Sequence, residues 1–252
     1  MRFLRSAGLI AALLMPLALP AQAGVFEDLS DEDRIRLHQE VRDYILSNPE
    51  IIFDAIRILE ERRVDEAAQA ERDVVAQHAN ELFADGYSHV AGNPDGDVVV
   101  VEFLDYRCGF CKRSHPEIKE MLERDPNIRL IVKEFPILGP DSVAAGRMAL
   151  AAMEVDPSKY GELNDALMEF RGQLNETMAY RIARQVGYDI ADLKEVAQSE
   201  IIEERLQRNY SVAQSLGLQG TPSFVIGDQI VRGYLPVDQM LARVADARQA
   251  SN

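Results

Sequence analysis

The sequence predicts an α/β domain preceded by an α-helical segment, and three observations support this fold class. Residues 98–104 are nearly all apolar, as in a buried strand, and a helical pattern follows from Gly109 to about Glu123. Residues 127–135 have the character of a second buried strand, so this stretch predicts a βαβ unit. A long helical block, a hairpin and a closing helix complete the order of elements.

The C-terminal half supplies those later elements. Residues 141–217 are helical in pattern, with breaks at glycines. Residues 223–226 and 229–232 flank the dipeptide Gly227-Asp228 and predict a β-hairpin. Pro236 then opens the final helix.

The first 23 residues have the features of a secretion signal. Arg2 and Arg5 provide positive charge, an apolar stretch follows from about residue 7 to 19, and residues 21–23 form an A-x-A cleavage site. The apolar stretch is short for a membrane span, although an uncleaved anchor is the alternative. We therefore expect a periplasmic protein that starts near Gly24 and is not inserted in the membrane after cleavage.

Composition narrows the classes of partner. The chain has 252 residues, a formal net charge of −15 and no conspicuous cluster of lysine and arginine. Nucleic acids and anionic membranes are therefore disfavoured as partners on electrostatic grounds. The 47% of hydrophobic residues is enough for a sizeable core.

Residues 24–85 form the predicted N-terminal helical segment, and residues 86–252 form the predicted domain. Ser30 and Asp33 have the form of a capping box, and Pro49 suits the first turn of a second helix. The second helix carries an apolar face with a weak heptad repeat, which either packs on the domain or pairs with other copies of the chain. We expect a homo-oligomer formed through these helices.

The only two cysteines, Cys108 and Cys111, are the candidate reactive groups. A C-x-x-C pair closes too small a loop to stabilise an exported protein appreciably. A structural zinc site needs about four ligands, and no second pair exists, whereas two thiolates suit Cu(I). An inert buried pair is a further alternative.

The position of the pair favours redox chemistry. It follows a buried strand and begins a helix, where free N–H groups and the helix dipole stabilise a thiolate. Cys108, at the N-terminal position, is therefore the predicted nucleophile, with the lower pKa and the greater exposure. Cys111, one turn further on, is the predicted resolving thiol that attacks a mixed disulfide on Cys108.

Two segments carry a resemblance to a known family. Residues 103–112, which contain the cysteine pair, and residues 220–224, which contain a Thr-Pro dipeptide before a strand, resemble the DsbA-like branch of the thioredoxin superfamily. The similarity extends over about residues 87–250. It implies a thioredoxin fold with a DsbA-type helical insertion at about 140–217, preceded by an N-terminal α-helical segment.

The resemblance also implies a substrate-binding site. The Thr221–Pro222 bond is expected to be cis and to face the cysteine pair, leaving the Thr221 backbone to pair with an extended peptide. Gly109 and Phe110, between the cysteines, are assigned to the same site. They replace the Pro-His of the archetypal oxidase, which leaves the oxidising strength open.

Two charged residues are implied to assist catalysis. In the family, an acid at the spacing of Glu102 lies beneath the pair, near Cys111, and helps proton transfer; burial would raise its pKa. Lys133 matches a lysine on the neighbouring strand and could pair with Glu102. An outward-facing Glu102 and a surface Lys133 are the alternatives.

The N-terminal segment resembles that of a subset of the family, the ScsC-like (suppressor of copper sensitivity) and Com1-like proteins. Their extensions can oligomerise the chain, and trimeric members act as disulfide isomerases. The prediction is thiol–disulfide exchange on exported proteins with cysteines, reset by a membrane or periplasmic redox partner and needing no cofactor or metal. Isomerase or reductase activity is favoured over oxidase activity. The alternative is a copper-binding or holdase protein that uses the same thiols without turnover.

Overall fold

The computed structural model describes residues 29–250. The predicted signal peptide, residues 1–23, lies outside the described residues. The chain divides into two compact units, Met1–Glu61 and Arg62–Asn252. Within the described range, no helix has the length and apolar character needed to cross a membrane.

The first unit is helical where it is described. Helix α1 spans Asp31–Ser47, and the Ser30 side chain accepts a hydrogen bond from the Asp33 amide at 3.2 Å, as the predicted capping box requires. Helix α2 starts at Glu50 and continues into the second unit. No residue of α1 is buried, and 11 of the 15 exposed large apolar side chains of the described residues lie between residues 31 and 61.

The second unit contains a five-stranded sheet in the order β1-β3-β2-β4-β5. Strands β2 and β3 are parallel, and the other neighbouring pairs are antiparallel. The strands are β1 His89–Gly92, β2 Val98–Leu104, β3 Ile128–Glu134, β4 Ser223–Ile226 and β5 Gln229–Arg232. The predicted βαβ unit and hairpin are confirmed, whereas β1, a four-residue strand at the edge of the sheet, is not among the predicted elements.

Helices cover both faces of this sheet. Helix α2 ends at Gln77 and a short α3 follows at Ala79–Phe83, so the uninterrupted run of helix-forming residues contains a break at His78. The remaining helices are α4 Gly109–Arg124, α5 Pro140–Val155, α6 Tyr160–Glu169, α7 Glu176–Val186, α8 Ile190–Ala197, α9 Glu200–Ser215 and α10 Val237–Ala250.

The alternation of side chains along β2 creates two hydrophobic cores. Even-numbered residues such as Val100 and Leu104 belong to the larger core, with residues of α4, α5 and α6. Odd-numbered residues such as Phe103 belong to a second core, together with Val75 of α2 and Leu82 of α3. The C-terminal part of α2 and all of α3 therefore belong to the second unit, which begins at Arg62. The boundary at residue 85 between a helical segment and a catalytic domain stays a prediction.

Candidate active site

The cysteine pair lies at the junction between β2 and α4. Cys108 is the N-cap of α4, and its amide donates to the Asp105 carbonyl at 3.0 Å. Both cysteines are free thiols; 7% of Cys108 is exposed and none of Cys111. An incoming sulfur can therefore reach Cys108 before Cys111.

Hydrogen bonds make Cys108 acidic. A hydrogen bond from the Cys111 thiol is the largest influence and, with smaller ones from the Thr221 side chain and the backbone of Cys111 and Phe110, lowers the pKa of Cys108 to about 5. Burial acts in the opposite direction but is outweighed. At neutral pH this pKa makes Cys108 a thiolate, the form that attacks disulfides.

Cys111 has the opposite character. Burial raises its pKa, and the hydrogen bond to Cys108 and the negative charge of Glu102 raise it further. Cys111 is therefore a protonated thiol while Cys108 is a thiolate. It needs a proton acceptor before it can attack a mixed disulfide.

The loop before β4, which contains Thr221 and Pro222, lies beside Cys108. The Thr221–Pro222 peptide bond is cis, which confirms the expectation from the resemblance. The Cys108 thiol donates to the Thr221 carbonyl at 3.1 Å, and the Thr221 hydroxyl, which is buried, has no partner while Cys108 is a thiol. That hydroxyl is thus available to donate to the Cys108 thiolate once the thiol proton has left.

The dipeptide between the cysteines faces solvent. Phe110 has 60% of its surface exposed, and apart from the adjacent residues and the backbone of α4 no atom lies within 4 Å of the position that a Cβ on Gly109 would occupy. An exposed aromatic ring beside an acidic thiol offers an apolar contact for an incoming polypeptide. The assignment of Gly109, Phe110, Thr221 and Pro222 to substrate binding stays a prediction.

Glu102 is buried on the face of the sheet that carries Cys111. It lies at an even position of β2, and only 3% of it is exposed. Burial raises its pKa to about 8, and its charge contributes to the raised pKa of Cys111. Glu102 can therefore exchange a proton near neutral pH, as the predicted role in proton transfer requires.

Lys133 does not pair with Glu102, and the sequence-based pairing was wrong. In the parallel register Glu102 lies opposite Val132, and Lys133 lies opposite Phe103, so the two side chains emerge from opposite faces. The Lys133 ammonium instead contacts the Asp85 carboxylate at 2.6 Å and the Ser88 hydroxyl at 3.3 Å. Lys133 is fully buried, which also excludes the surface alternative.

A second buried acid, which the sequence does not reveal, lies on the face of the sheet that carries Cys111. Glu134 shares the even-numbered face of β3, and one of its oxygens accepts hydrogen bonds from Tyr160 at 2.6 Å and Tyr106 at 2.8 Å. The pKa of Glu134 is raised to about 8, and burial is the main cause. The tyrosine hydrogen bonds lower this pKa, and the charges of Asp105 and Glu102 make smaller contributions that raise it. The alternation of side chains along β3 shows that Glu134 lies on the opposite face from Lys133. Only the register of β3 against β2 shows that this is also the face of Glu102.

Asp105 is a second functional candidate that the sequence did not reveal. Its buried carboxylate accepts from the Arg107 amide at 2.8 Å, from the amides of Ile137 and Leu138 at 2.9 and 3.0 Å, and from the Ser142 hydroxyl at 2.9 Å. These bonds tie the loop before Cys108 to the loop that follows β3. Asp105 thereby fixes the position of the cysteine pair relative to the sheet.

Comparison with known proteins places the chain in a family. A family model described as "DSBA-like thioredoxin domain" matches residues 99–245, which is more than half of the chain. The chain belongs to the DsbA-like thioredoxin family. A second model, "Copper resistance protein ScsC N-terminal domain", matches residues 33–66. The predicted thioredoxin fold and the resemblance to the ScsC-like subset are thus confirmed.

Solved structures support the same assignment. The chain is 42% identical to a thioredoxin-like oxidoreductase from Silicibacter pomeroyi, with a TM-score of 0.65, covering 68% of this chain and 97% of the other. It is 29% identical to Proteus mirabilis ScsC, with a TM-score of 0.65, covering 88% of this chain and 98% of that protein.

Curated relatives match over part of their length. The chain is 25% identical over 162 residues to the probable disulfide bond formation protein D of Bacillus anthracis, covering 60% of this chain and 75% of that protein. It spans 24% of the length of the first curated relatives, which are Na(+)/H(+) antiporters of Salinispora species. The match therefore concerns one part of those antiporters.

Proposed function

We propose that the protein carries out thiol–disulfide exchange on exported proteins in the periplasm, with Cys108 as nucleophile and Cys111 as resolving thiol. The observation that carries this proposal is the contrast between an acidic Cys108, 7% of which is exposed, and a protonated Cys111, none of which is exposed. The signal-like residues 1–23 support the location. A membrane or periplasmic redox partner then resets the pair after each cycle.

The chemistry proceeds in two exchanges. The Cys108 thiolate attacks a client disulfide, a mixed disulfide forms, and the displaced client sulfur leaves as a thiolate. Glu102 accepts the Cys111 proton in its ionised form, which is the minority form at neutral pH because its pKa is about 8. The Cys111 thiolate then attacks the sulfur of Cys108, which releases the second client thiolate. The client disulfide is reduced by two electrons, the cysteine pair is oxidised to a disulfide, and the client thiolates take up protons.

A trapping experiment tests this proposal. In a Cys111→Ser variant the second exchange is blocked, so mixed disulfides between Cys108 and client proteins should accumulate and disappear on treatment with reductant. A Cys108→Ser variant is the matched control and should trap none. If neither variant forms adducts, the thiols do not turn over, and a copper-binding or holdase role becomes the better interpretation.

Isomerase or reductase activity is the proposed direction. The concentration of exposed apolar side chains within residues 31–61 supports self-association, because monomeric proteins rarely leave such a set in water. An oligomer would bring several reduced cysteine pairs to one client, which favours the rearrangement of wrong disulfides. In an isomerisation, the released client thiolate attacks a second client disulfide and frees another client thiolate. That thiolate attacks the client sulfur bonded to Cys108, so the mixed disulfide breaks and Cys108 leaves as a thiolate.

Phe53 offers a direct test of this arrangement, because 74% of it is exposed. A Phe53→Glu variant should lower the mass measured by light scattering and reduce the refolding of a scrambled-disulfide substrate, while reduction of a small disulfide stays unchanged. Asp43→Lys, on an exposed residue of α1, is the control for altered charge. A wild-type monomer would contradict the oligomer and favour oxidation instead.

A further inference from the structure

A small cleft lies beside the cysteine motif and is rich in positive charge. It has a volume of about 330 Å³ and is lined by Arg107, Lys112, Phe170, Arg171, Gly172, Gln173 and Leu174. Arg107 immediately precedes Cys108, and Lys112 immediately follows Cys111. None of the seven lining residues is acidic. We call this site the cationic cleft.

The positive charge of the cationic cleft is only partly neutralised. The Lys112 ammonium donates to the carbonyl oxygens of Phe170 at 2.6 Å and Leu167 at 3.3 Å, which orient it but carry no formal charge. Burial lowers the pKa of Lys112, and repulsion from Arg171 lowers it further, so these two cations act on each other. Such repulsion is relieved when an anion binds between them.

The two arginines of the cleft differ in their partners. Arg107 donates to the Leu138 carbonyl at 3.2 Å and lies 3.7 Å from the Asp141 carboxylate. Arg171 is exposed and forms no ion pair or hydrogen bond with any residue between 29 and 250. Its guanidinium is therefore free to make the bidentate contact that arginine forms with carboxylates.

We propose that the cationic cleft binds an acidic side chain of the client polypeptide close to the client cysteine. This inference rests on the proposed function and names the class of client it favours. The formal net charge of −15 would by itself repel acidic segments. At physiological ionic strength, however, charges are screened beyond about 8 Å, so the charges next to Cys108 govern the final approach.

A series of peptides that differ in charge tests whether the cationic cleft affects the first exchange, in which Cys108 attacks the client disulfide. Short peptides with one cysteine are prepared as neutral pyridyl disulfides, with Glu, Gln or Lys two residues from the cysteine. The Cys108 thiolate of a full-length Cys111→Ser chain attacks the peptide sulfur, the bond to pyridine-2-thiol breaks, and the leaving thiolate takes up a proton to become the thione. Thione absorbance gives the second-order rate constant.

The cleft predicts an order of rates. The Glu peptide should react about threefold faster than the Gln peptide, and the Lys peptide about threefold slower, as expected for unit charges several ångströms apart in water. Arg171→Glu should abolish or invert this order, measured as the ratio of the Glu and Lys rates to the Gln rate of the same variant. Arg181→Glu, on an exposed arginine of α7, is the matched control and should preserve the order.

The outcomes separate this inference from the proposed function. Equal rates for the three peptides, or equal effects of the Arg171 and Arg181 substitutions, would overturn the cationic cleft while thione release upholds exchange at Cys108. Failure of every peptide, including the neutral one, to release thione would overturn the proposed function itself.

Discussion

The two faces of the β2–β3 pair both bury ionisable side chains, but only one face provides an opposite charge. On the face that packs against α2, α3 and α9, Lys133 contacts the Asp85 carboxylate at 2.6 Å. On the face that carries Cys111, Glu102 and Glu134 are both buried and lack a cationic partner among the described residues. Burial therefore raises the pKa of each acid to about 8.

Because of this difference, the charged pair on the Lys133 face stabilises the fold, whereas the acids on the Cys111 face can take part in proton transfer. On the Lys133 face the ion pair outweighs burial: burial acts to raise the pKa of Asp85, but the Lys133 ammonium makes the net shift downward. That carboxylate stays ionised and serves packing. On the Cys111 face the acids hold protons up to the pH range in which thiols ionise, so they can take part in proton transfer.

Among substitutions that test the difference between the two faces, Lys133→Met is expected to have the largest effect, on stability. The substitution leaves the Asp85 carboxylate buried without its partner, and loss of about 3–5 kcal/mol in the free energy of unfolding is expected. The pKa of Cys108 should not change, because Lys133 lies on the opposite face. Urea unfolding and thiolate absorbance measure the two quantities.

Lys194→Met, on α8, is the control for removal of a lysine outside the sheet. A Lys133→Met protein of unchanged stability with a slower resolving step would break the comparison. That result would instead place Lys133 in the catalytic machinery, as the resemblance to the DsbA-like family implies.

Glu102→Gln should give the next largest effect, on rate. Loss of the acceptor for the Cys111 proton should slow the decay of a glutathione mixed disulfide on Cys108 by roughly 100-fold at neutral pH. Formation of that mixed disulfide in a Cys111→Ser background should change by less than about twofold, because it uses the Cys108 thiolate alone. Equal slowing of both steps in stopped-flow measurements would show that the substitution disturbs the whole site.

A smaller effect is expected in the pH dependence of stability. Because the folded pKa of Glu134 is raised from 4.5 to about 8, the folded protein keeps a proton that the unfolded chain releases between these values. Stability therefore falls as pH rises through this window, by up to about 1.4 kcal/mol per pH unit for each such group. Glu134→Gln should flatten the slope.

This linkage is best measured by urea unfolding of the oxidised protein. In the reduced protein, Cys108 has a folded pKa below its ordinary value and contributes stability that increases with pH, which opposes the slope of the acids. Glu120→Gln, on an exposed residue of α4, is the matched control and should leave the slope as it is in the wild type. An unchanged slope in Glu134→Gln would show that this carboxyl is not held protonated.

Much of this fold follows from local sequence. The apolar runs of β2 and β3, the hairpin turn at residues 227–228 and the cysteine pair at a strand–helix junction are all visible in short windows. Strand β1 was missed because four residues at a sheet edge show too little alternation.

The partners of the buried charged side chains could not be predicted from short stretches of sequence. Whether Lys133 or Glu134 shares a face with Glu102 depends on the register of β2 against β3, and a shift of one residue exchanges the faces. The unit boundary within α2 is also a tertiary property, because it depends on the burial of Val75 and Leu82 against the sheet.

Titration of the Cys108 thiolate by its ultraviolet absorbance tests the central claim most directly. The full chain in its reduced form should show one thiolate with a pKa of about 5, and Cys108→Ser should remove that transition. A first transition near 9, the ordinary value for cysteine, would contradict the assignment of Cys108 as the activated nucleophile.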